Sequence, residues 1–190
     1  MKKKLNLNLG SGAYIVSGFT NIDAFVPQGF VKKKAGAKFI QASMTELPFA
    51  DNTVDYIECL EAIEHLSFAD VEKAIREMYR VLKPGGVTYI FTTDFDDIAK
   101  QWVEFIADKP FDPHNWFTLN SIVYGNQLHG GEFHRSAFNP QYFNGLMQAC
   151  GFTHFKMTGY PRNSLPPKFK GAKWPKNPLN TATIAIEATK

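Results

Sequence analysis

No uninterrupted apolar run in this chain approaches the roughly 18 residues needed to cross a bilayer, so no membrane-spanning helix is expected. Cysteine is scarce. Cys59 and Cys150 each lie inside an apolar periodic segment, which excludes both a disulfide framework and a zinc cluster built from cysteines alone. A secretory leader is not expected either: Lys2, Lys3 and Lys4 lead straight into a strand pattern with no apolar segment between. A reducing, cytoplasmic setting fits these observations. Charge imbalance is small, at a net +3, and does not by itself announce a nucleic-acid partner. There is no internal repeat, and 190 residues read as one domain, 1–190.

With 44% hydrophobic and 14% aromatic residues, the chain can bury a full core. Leu5, Leu7 and Leu9 alternate with Asn6 and Asn8, predicting a strand over 4–9. Further short strands are read at "FTNIDAF", "AKFIQAS", "VDYIECLE" and "VTYIFTT". Between the last two, "SFADVEKAIREMYRVL" predicts a helix with Ser67 as N-cap, Phe68, Val71, Ile75, Met78, Tyr79 and Leu82 along one apolar face, and "KPGG" as its stop. A second helix is expected from about Asp96 to Ala107. A long turn-rich aromatic stretch, Lys109 to Phe138, comes next. Asn139 as N-cap, Pro140 at the first helical position and Gly151 as stop bound another helix. "FTHFKMTGY" and "TATIAIEAT" are late strands joined by a Pro/Lys-rich loop.

Strands separated by helices imply a parallel sheet with right-handed crossovers, while two final strands joined only by a loop pair antiparallel. In such open α/β sheets ligands bind at the carboxyl ends of the strands. That edge collects Gly10-Ser11-Gly12, Asp23, Ser43-Met44, Leu60-Glu61 and Thr93-Asp94. The glycines are either a plain turn or the cradle of a nucleotide-like ligand. Their distance from Asp23 separates dinucleotides from other ligands. A dinucleotide fold has its ribose-binding acid about 20 residues beyond the glycines, after a helix. Here Asp23 follows Gly12 by only eleven positions, too few for two loops and an ordinary helix. A ligand without phosphates, held by backbone at the glycines and by a carboxylate on its ribose, fits better.

"LNLGSG", "GFTNIDAF", "LPFADNTVDYIECLEAIEHL" and "REMYRVLKPGG", in that order, resemble the class I S-adenosylmethionine-dependent methyltransferases, closest to a compact type 11 subgroup. The resemblance covers about residues 4–95, and "YGNQLHGGEFHRSAF" with "LMQACGF" resembles that subgroup's acceptor side. It implies a Rossmann-like, mostly parallel seven-stranded sheet with a C-terminal antiparallel hairpin strand and a reduced first helix. It also implies S-adenosyl-L-methionine as cofactor. Gly10, Ser11 and Gly12 match the loop under the cofactor's methionine part, and Asp23 matches the acid that accepts from the ribose hydroxyls. Asn8 stands where many members have an acid, and Ser43 where they have an adenine-reading aspartate, so both depart from the pattern. Met44 is left to offer its backbone N–H and its sulfur to the ring. Leu60 and Glu61 match the segment lining the methionine end, and Glu64-His65 matches the family's Glu-His pair.

Methyl transfer from a sulfonium needs mainly alignment and exclusion of water, with a base where the acceptor is a hydroxyl or amine. Base candidates are Tyr124, His129, Glu132 and His134, with histidine the best-suited type. His129, Glu132 and His134 also have the residue types of a metal triad, but the reading adopted is no metal. Gly130-Gly131 and the length of the segment predict a flap, within about 109–138, placing Tyr124, His129 and His134 near the acceptor. Phe111, Trp116, Phe117, Phe133 and Phe138 are candidate pocket walls as well as candidate core. The acceptor expected is a small molecule or glycan-like compound. Lys32–Lys34 and the cluster Lys168, Lys170, Lys173 and Lys176, interleaved with Phe169 and Trp174, keep an RNA methyltransferase as an alternative. A non-catalytic cofactor-binding module is the other alternative, kept open by Asn8 and Ser43.

Overall fold

The computed structural model describes residues 4–26, 38–108, 113–128, 130–161 and 182–190. Its strands are β1 (Asn6–Leu9), β2 (Thr20–Asp23), β3 (Lys38–Gln41), β4 (Val54–Leu60), β5 (Leu82–Thr93), β6 (Thr153–Pro161) and β7 (Ala182–Thr189). Its helices are α1 (Phe68–Val81), α2 (Phe95–Asp108), α3 (Pro113–Tyr124) and α4 (Pro140–Ala149), with a 3-10 turn at Ile63–His65. The seven strands form one sheet in the order β3-β2-β1-β4-β5-β7-β6. β1 to β5 run parallel, and β7 is antiparallel to both β5 and β6. The fold class is therefore the one expected, and no helix interrupts residues 11–19 between β1 and β2.

β1 is a central strand, with Leu7 opposite Thr20 on one side and Ile57 on the other. Leu7 and Leu9 are fully buried, and so, nearly, is Asn8. A parallel strand is covered on both faces, so the leucine/asparagine alternation marks two buried faces of different chemistry. The main core joins Leu7, Leu9, Ile22, Ile57, Ile75, Met78, Phe138, Phe143, Phe152 and Ile186.

α1 buries Val71, Ile75 and Met78 as its spacing predicts. Phe68 does not join that face; it is 65% exposed in the first turn, before the helix reaches the sheet. Ser67 is the N-cap residue, but its hydroxyl donates to Asp70 Oδ2 at 2.7 Å instead of capping a backbone N–H. α1 ends at Val81, and "KPGG" lies inside β5, which starts earlier than expected. The pairing jumps from Val54 opposite Leu82 to Tyr56 opposite Val87, so the Pro-Gly-Gly residues are absorbed as a bulge. Gly85 N–H donates to Lys190 O and Gly86 O accepts from Lys190 N–H, fastening residue 190 there.

The stretch read as turns from Lys109 to Phe138 contains α3. Pro113 suits a first helical position, and Leu119 and Ile122 bury against Ile98, with Trp102 and Val123 packed alongside. Aromatic residues on several sides of α3 blur its period. α4 matches expectation: Asn139 Oδ1 accepts from Tyr142 N–H at 2.8 Å, with Pro140 in the first turn.

Arg80 ties α1 to the connection that leaves the carboxyl edge at β3. It donates to Glu77, to Asp51 Oδ1 at 2.6 Å, and to the carbonyls of Phe49 and Leu47 at 2.9 and 3.1 Å. Glu77 Oε2 in turn accepts from Leu47 N–H at 2.8 Å. Arg80→Ala leaves a mostly buried carboxylate and two carbonyls to be resolvated, and should cost about 2 kcal/mol in urea titrations at neutral pH. The Arg80 hydrogen bond holds the Glu77 carboxyl below its ordinary range. A carboxylate depressed in the folded state adds stability above its unfolded value, and that stability is lost as pH falls through the folded value. The difference between wild type and variant should therefore shrink in acid. An equal difference at neutral and acid pH would contradict the pairing.

Candidate functional site

The loop after β1 is fastened before any ligand is considered. The Asn8 amide donates to Tyr14 O at 2.8 Å and to Asn21 Oδ1 at 2.9 Å. Asn21, fully buried, accepts from Val16 N–H and donates to Val16 O and Lys38 O. Asn8 and Asn21 thus rivet residues 14–16 to β2 and β3, and both Asn8 N–H groups serve the fold. Asn21 was not among the sequence candidates; its only signal is its place two residues before the acid. Ser11 N–H donates to Ile22 O at 3.0 Å, which sets the glycine loop against β2.

Gly10 and Gly12 have φ of 63° and 46°, where a side chain is strained. A Cβ on Gly10 would lie 2.2 Å from Ala62 Cβ and 3.3 Å from Met44 Cε, whereas one on Gly12 would meet nothing within 4 Å. Gly10 is therefore the close approach between the loop and the end of β4, and Gly12 borders open space. Asp23, at the end of β2, accepts from Gly12 N–H through Oδ2 at 2.7 Å and from Phe25 N–H through Oδ1 at 2.9 Å. A carboxylate has about four acceptor positions, so two remain for hydroxyl donors. Ser11 Oγ is buried with no hydrogen-bond partner among the described residues, a polar atom facing the same loop.

Ser43 Oγ accepts from Thr45 N–H and shares a hydrogen bond with Thr45 Oγ1, so its side chain shapes the turn 43–46. Met44 is partly buried beside Gly10. Leu60 ends β4, packed partly against Tyr89 and Phe91. Glu61 has φ 46°, unusual for a residue with a side chain, and its N–H donates to Phe91 O at 2.7 Å. That strained turn swings the chain from β4 into Ala62 and the 3-10 turn. Gly10–Gly12, Asp23, Ser43-Met44 and Leu60-Glu61 thus share the carboxyl edge, as the topology predicts. A carboxylate with acceptor positions to spare, beside a loop whose Gly12 borders open space, fits the ribose of a nucleoside without phosphates.

Beyond the 3-10 turn lies a shallow pocket open to solvent. Its walls include Glu64, Thr92, Thr93, Phe95, His134 and Phe138. Thr92 Oγ1 is buried there without a hydrogen-bond partner among the described residues. The polar walls Thr92 and Ser136 escaped sequence reading, since Thr92 reads as ordinary strand. Residues 133–138 are strapped across this edge. Arg135 and Ser136 N–H both donate to Glu64 O, Ser136 Oγ donates to Leu66 O at 2.6 Å, and Phe95 N–H donates to Phe138 O at 2.8 Å. His134 Nδ1 lies 2.9 Å from Ile122 O and His65 Nδ1 lies 3.1 Å from Phe133 O, with the two rings 4.8 Å apart, edge to face.

Tyr124 ends α3, 52% exposed, and its carbonyl accepts from His134 N–H. Glu132 accepts from Leu128 N–H at 3.0 Å, within its own loop. Trp116 and Phe117 are exposed, Trp116 against Trp102, while Phe138 is core. His129, Phe111, Lys32–Lys34 and the basic cluster Lys168–Lys176 lie outside the described residues. Cys59 and Cys150 are buried, and burial pushes both thiols above their ordinary range, away from nucleophilic chemistry.

Residues 16–90 match the family described as "Methyltransferase domain". The chain is 31% identical over 121 residues to the ubiquinone/menaquinone biosynthesis C-methyltransferase of Klebsiella pneumoniae, covering 60% of this chain and 45% of that protein. It is 34% identical over 92 residues to malonyl-[acyl-carrier protein] O-methyltransferase 1 of Coxiella burnetii, covering 48% of this chain and 32% of that protein. The chain thus spans less than half the length of these curated relatives. Among solved structures, the 1,6-didemethyltoxoflavin-N1-methyltransferase of Burkholderia thailandensis, with its acceptor and S-adenosylhomocysteine bound, superposes with a TM-score of 0.62. Identity there is 16%, over 98% of this chain and 70% of that one, which speaks to the fold.

Proposed function

We propose that this chain is a class I S-adenosylmethionine-dependent methyltransferase acting on a small organic acceptor, glycan-like compounds included, seated in the pocket beside His134; the family match over residues 16–90, the relatives and the fold support this reading. The observation that carries this reading is the shared wall. Ala62 abuts Gly10 in the cofactor loop, and Glu64, two residues on, lines the pocket. A donor held at one and an acceptor held at the other are brought to the same short turn.

S-adenosyl-L-methionine, when bound, supplies an already activated methyl group, so the chain's own work is placement. Asp23 would accept from the ribose hydroxyls, the backbone of Gly10–Gly12 would hold the methionine part together with Leu60 and Glu61, and Met44 would flank the base. Thr92, Thr93 and Phe95 shape the acceptor's side, and the strap at 133–138 excludes water, which makes the encounter effectively intramolecular. His134 is positioned to take the proton of a hydroxyl or amine acceptor through Nε2. Relatives that act on carbon and oxygen, and a structural neighbour that acts on nitrogen, support methyl transfer without selecting the acceptor atom. No helix among the described residues is long and apolar enough to cross a membrane.

Calorimetry should give micromolar binding of S-adenosylhomocysteine and none of NAD, because no helix follows the glycines to receive a pyrophosphate. Tight NAD binding without a response to S-adenosylhomocysteine would overturn the reading. Turnover screened across acceptors should fall about 10²-fold or more in His134→Ala, with cofactor affinity nearly unchanged, as expected for a group acting in the chemical step. Equal losses in both would make His134 a cofactor-binding residue instead. Salt-dependent RNA binding with methylation of RNA would favour the nucleic-acid alternative.

A further inference from the structure

We propose that Glu64, His65 and His134 form a binding site for a divalent cation of the zinc class, with an open coordination position toward the acceptor pocket. One potential ligand atom from each residue lies within 4.8 Å of the other two. A point equidistant from three atoms at that limit is about 2.8 Å from each, and zinc bonds to nitrogen and oxygen are about 2.0–2.2 Å, so small side-chain rotations close the site.

Three further observations favour a cation. A backbone carbonyl only accepts, so the contacts of His65 Nδ1 with Phe133 O and of His134 Nδ1 with Ile122 O place a proton on each Nδ1. Neutral rings so fixed keep the lone pair on Nε2, the tautomer and carbonyl support that metal-binding histidines use. Glu64 is 2% exposed and lines the same pocket as His134, which places its carboxylate beside the ring. The ligands are also held in register before binding, because Arg135 and Ser136 donate to the Glu64 carbonyl and bring the strap carrying His134 onto the turn carrying the other two. The triad weighed and set aside in the sequence, His129, Glu132 and His134, differs from this one: Glu132 is engaged with Leu128 N–H.

Three protein ligands leave a fourth position open, the pattern of catalytic rather than structural zinc. Glu64 and His134 line the acceptor pocket, which sets the direction of that position. An acceptor hydroxyl coordinated there loses its proton to bulk water more readily, because the ion lowers its pKa. With the ion bound, this replaces proton uptake by His134. The direction of the open position rests on the proposed acceptor pocket; the binding of the ion does not.

The test uses the full chain, stripped with a chelator and titrated with Co²⁺ by visible absorption and with Zn²⁺ by calorimetry. One Co²⁺ per chain is expected, with the visible bands of a four- or five-coordinate ion, displaced by Zn²⁺. Glu64→Gln, His65→Gln and His134→Gln should each weaken binding by about 100-fold. Six-coordinate, hexaaqua-like Co²⁺ spectra in the wild-type chain, or undiminished binding in folded variants, would overturn the proposal without reliance on activity. S-adenosylhomocysteine titrated in parallel separates the two claims: cofactor binding without metal binding overturns only this one, and metal binding without cofactor binding overturns only the proposed function.

Discussion

Asp23→Ala is expected to lower S-adenosylhomocysteine affinity by about 10²-fold or more. Hydrogen bonds to charged groups contribute about 1.5–3 kcal/mol each, and two ribose hydroxyls would be lost at once, so about 3–6 kcal/mol is at stake before water replaces part of it. At about 1.4 kcal/mol per factor of ten, even half of the upper figure gives a two-decade loss. A second effect acts in the same direction. The same carboxylate accepts from Gly12 N–H and Phe25 N–H, so its removal also loosens the glycine loop proposed to hold the methionine part. The fold should survive, because Asp23 ends β2 and is only half-buried. Asp23→Asn keeps one acceptor oxygen and should fall between wild type and Asp23→Ala. Calorimetry on chains verified by circular dichroism decides it; wild-type affinity in a folded Asp23→Ala would reject the ribose assignment.

What could be read from the sequence was local or followed from topology. β1 and its glycine turn, α1, α4 and the final hairpin each carry their own periodicity or cap, and a parallel sheet brings their ends to one edge. α3 was hidden because aromatic residues surround it, leaving little contrast between its faces. The part Asn8 plays in the fold has no local signal: in a strand covered on both sides its amide fastens the neighbouring loop. The meeting of His65 with His134 was out of reach, since residues 68 to 72 positions apart come together through the strap's bonds to the Glu64 and Leu66 carbonyls. No local pattern encodes that contact. Glu64-His65 was a candidate by resemblance and His134 as a base, but their meeting belongs to the tertiary structure.

Gly10→Ala should damage stability and binding together, and comparison with Gly12→Ala isolates the cause. At φ 63°, an alanine costs about 1–2 kcal/mol in backbone conformation. Its methyl would also lie 2.2 Å from Ala62 Cβ, a contact that must open by more than an ångström. Overpacking of that kind costs about 1–3 kcal/mol, so a total of about 2–5 kcal/mol is expected in urea titrations. Ala62 leads directly into Glu64 and His65, so the displacement reaches the acceptor pocket, and turnover should fall with affinity. Gly12→Ala has a comparable backbone cost at φ 46°, but its methyl meets no protein atom within 4 Å. It should therefore lose only about 1–2 kcal/mol of stability while still losing most cofactor affinity, because the methyl occupies the ligand's space. Ala62→Gly added to Gly10→Ala should recover the packing part of the loss, about 1–3 kcal/mol, and leave the backbone part. Near-wild-type stability of Gly10→Ala would show that β1 and the turn after β4 do not meet as tightly as described. Equal stability losses in Gly10→Ala and Gly12→Ala, with no recovery in the double variant, would assign the whole effect to backbone conformation and remove Ala62 from the cradle.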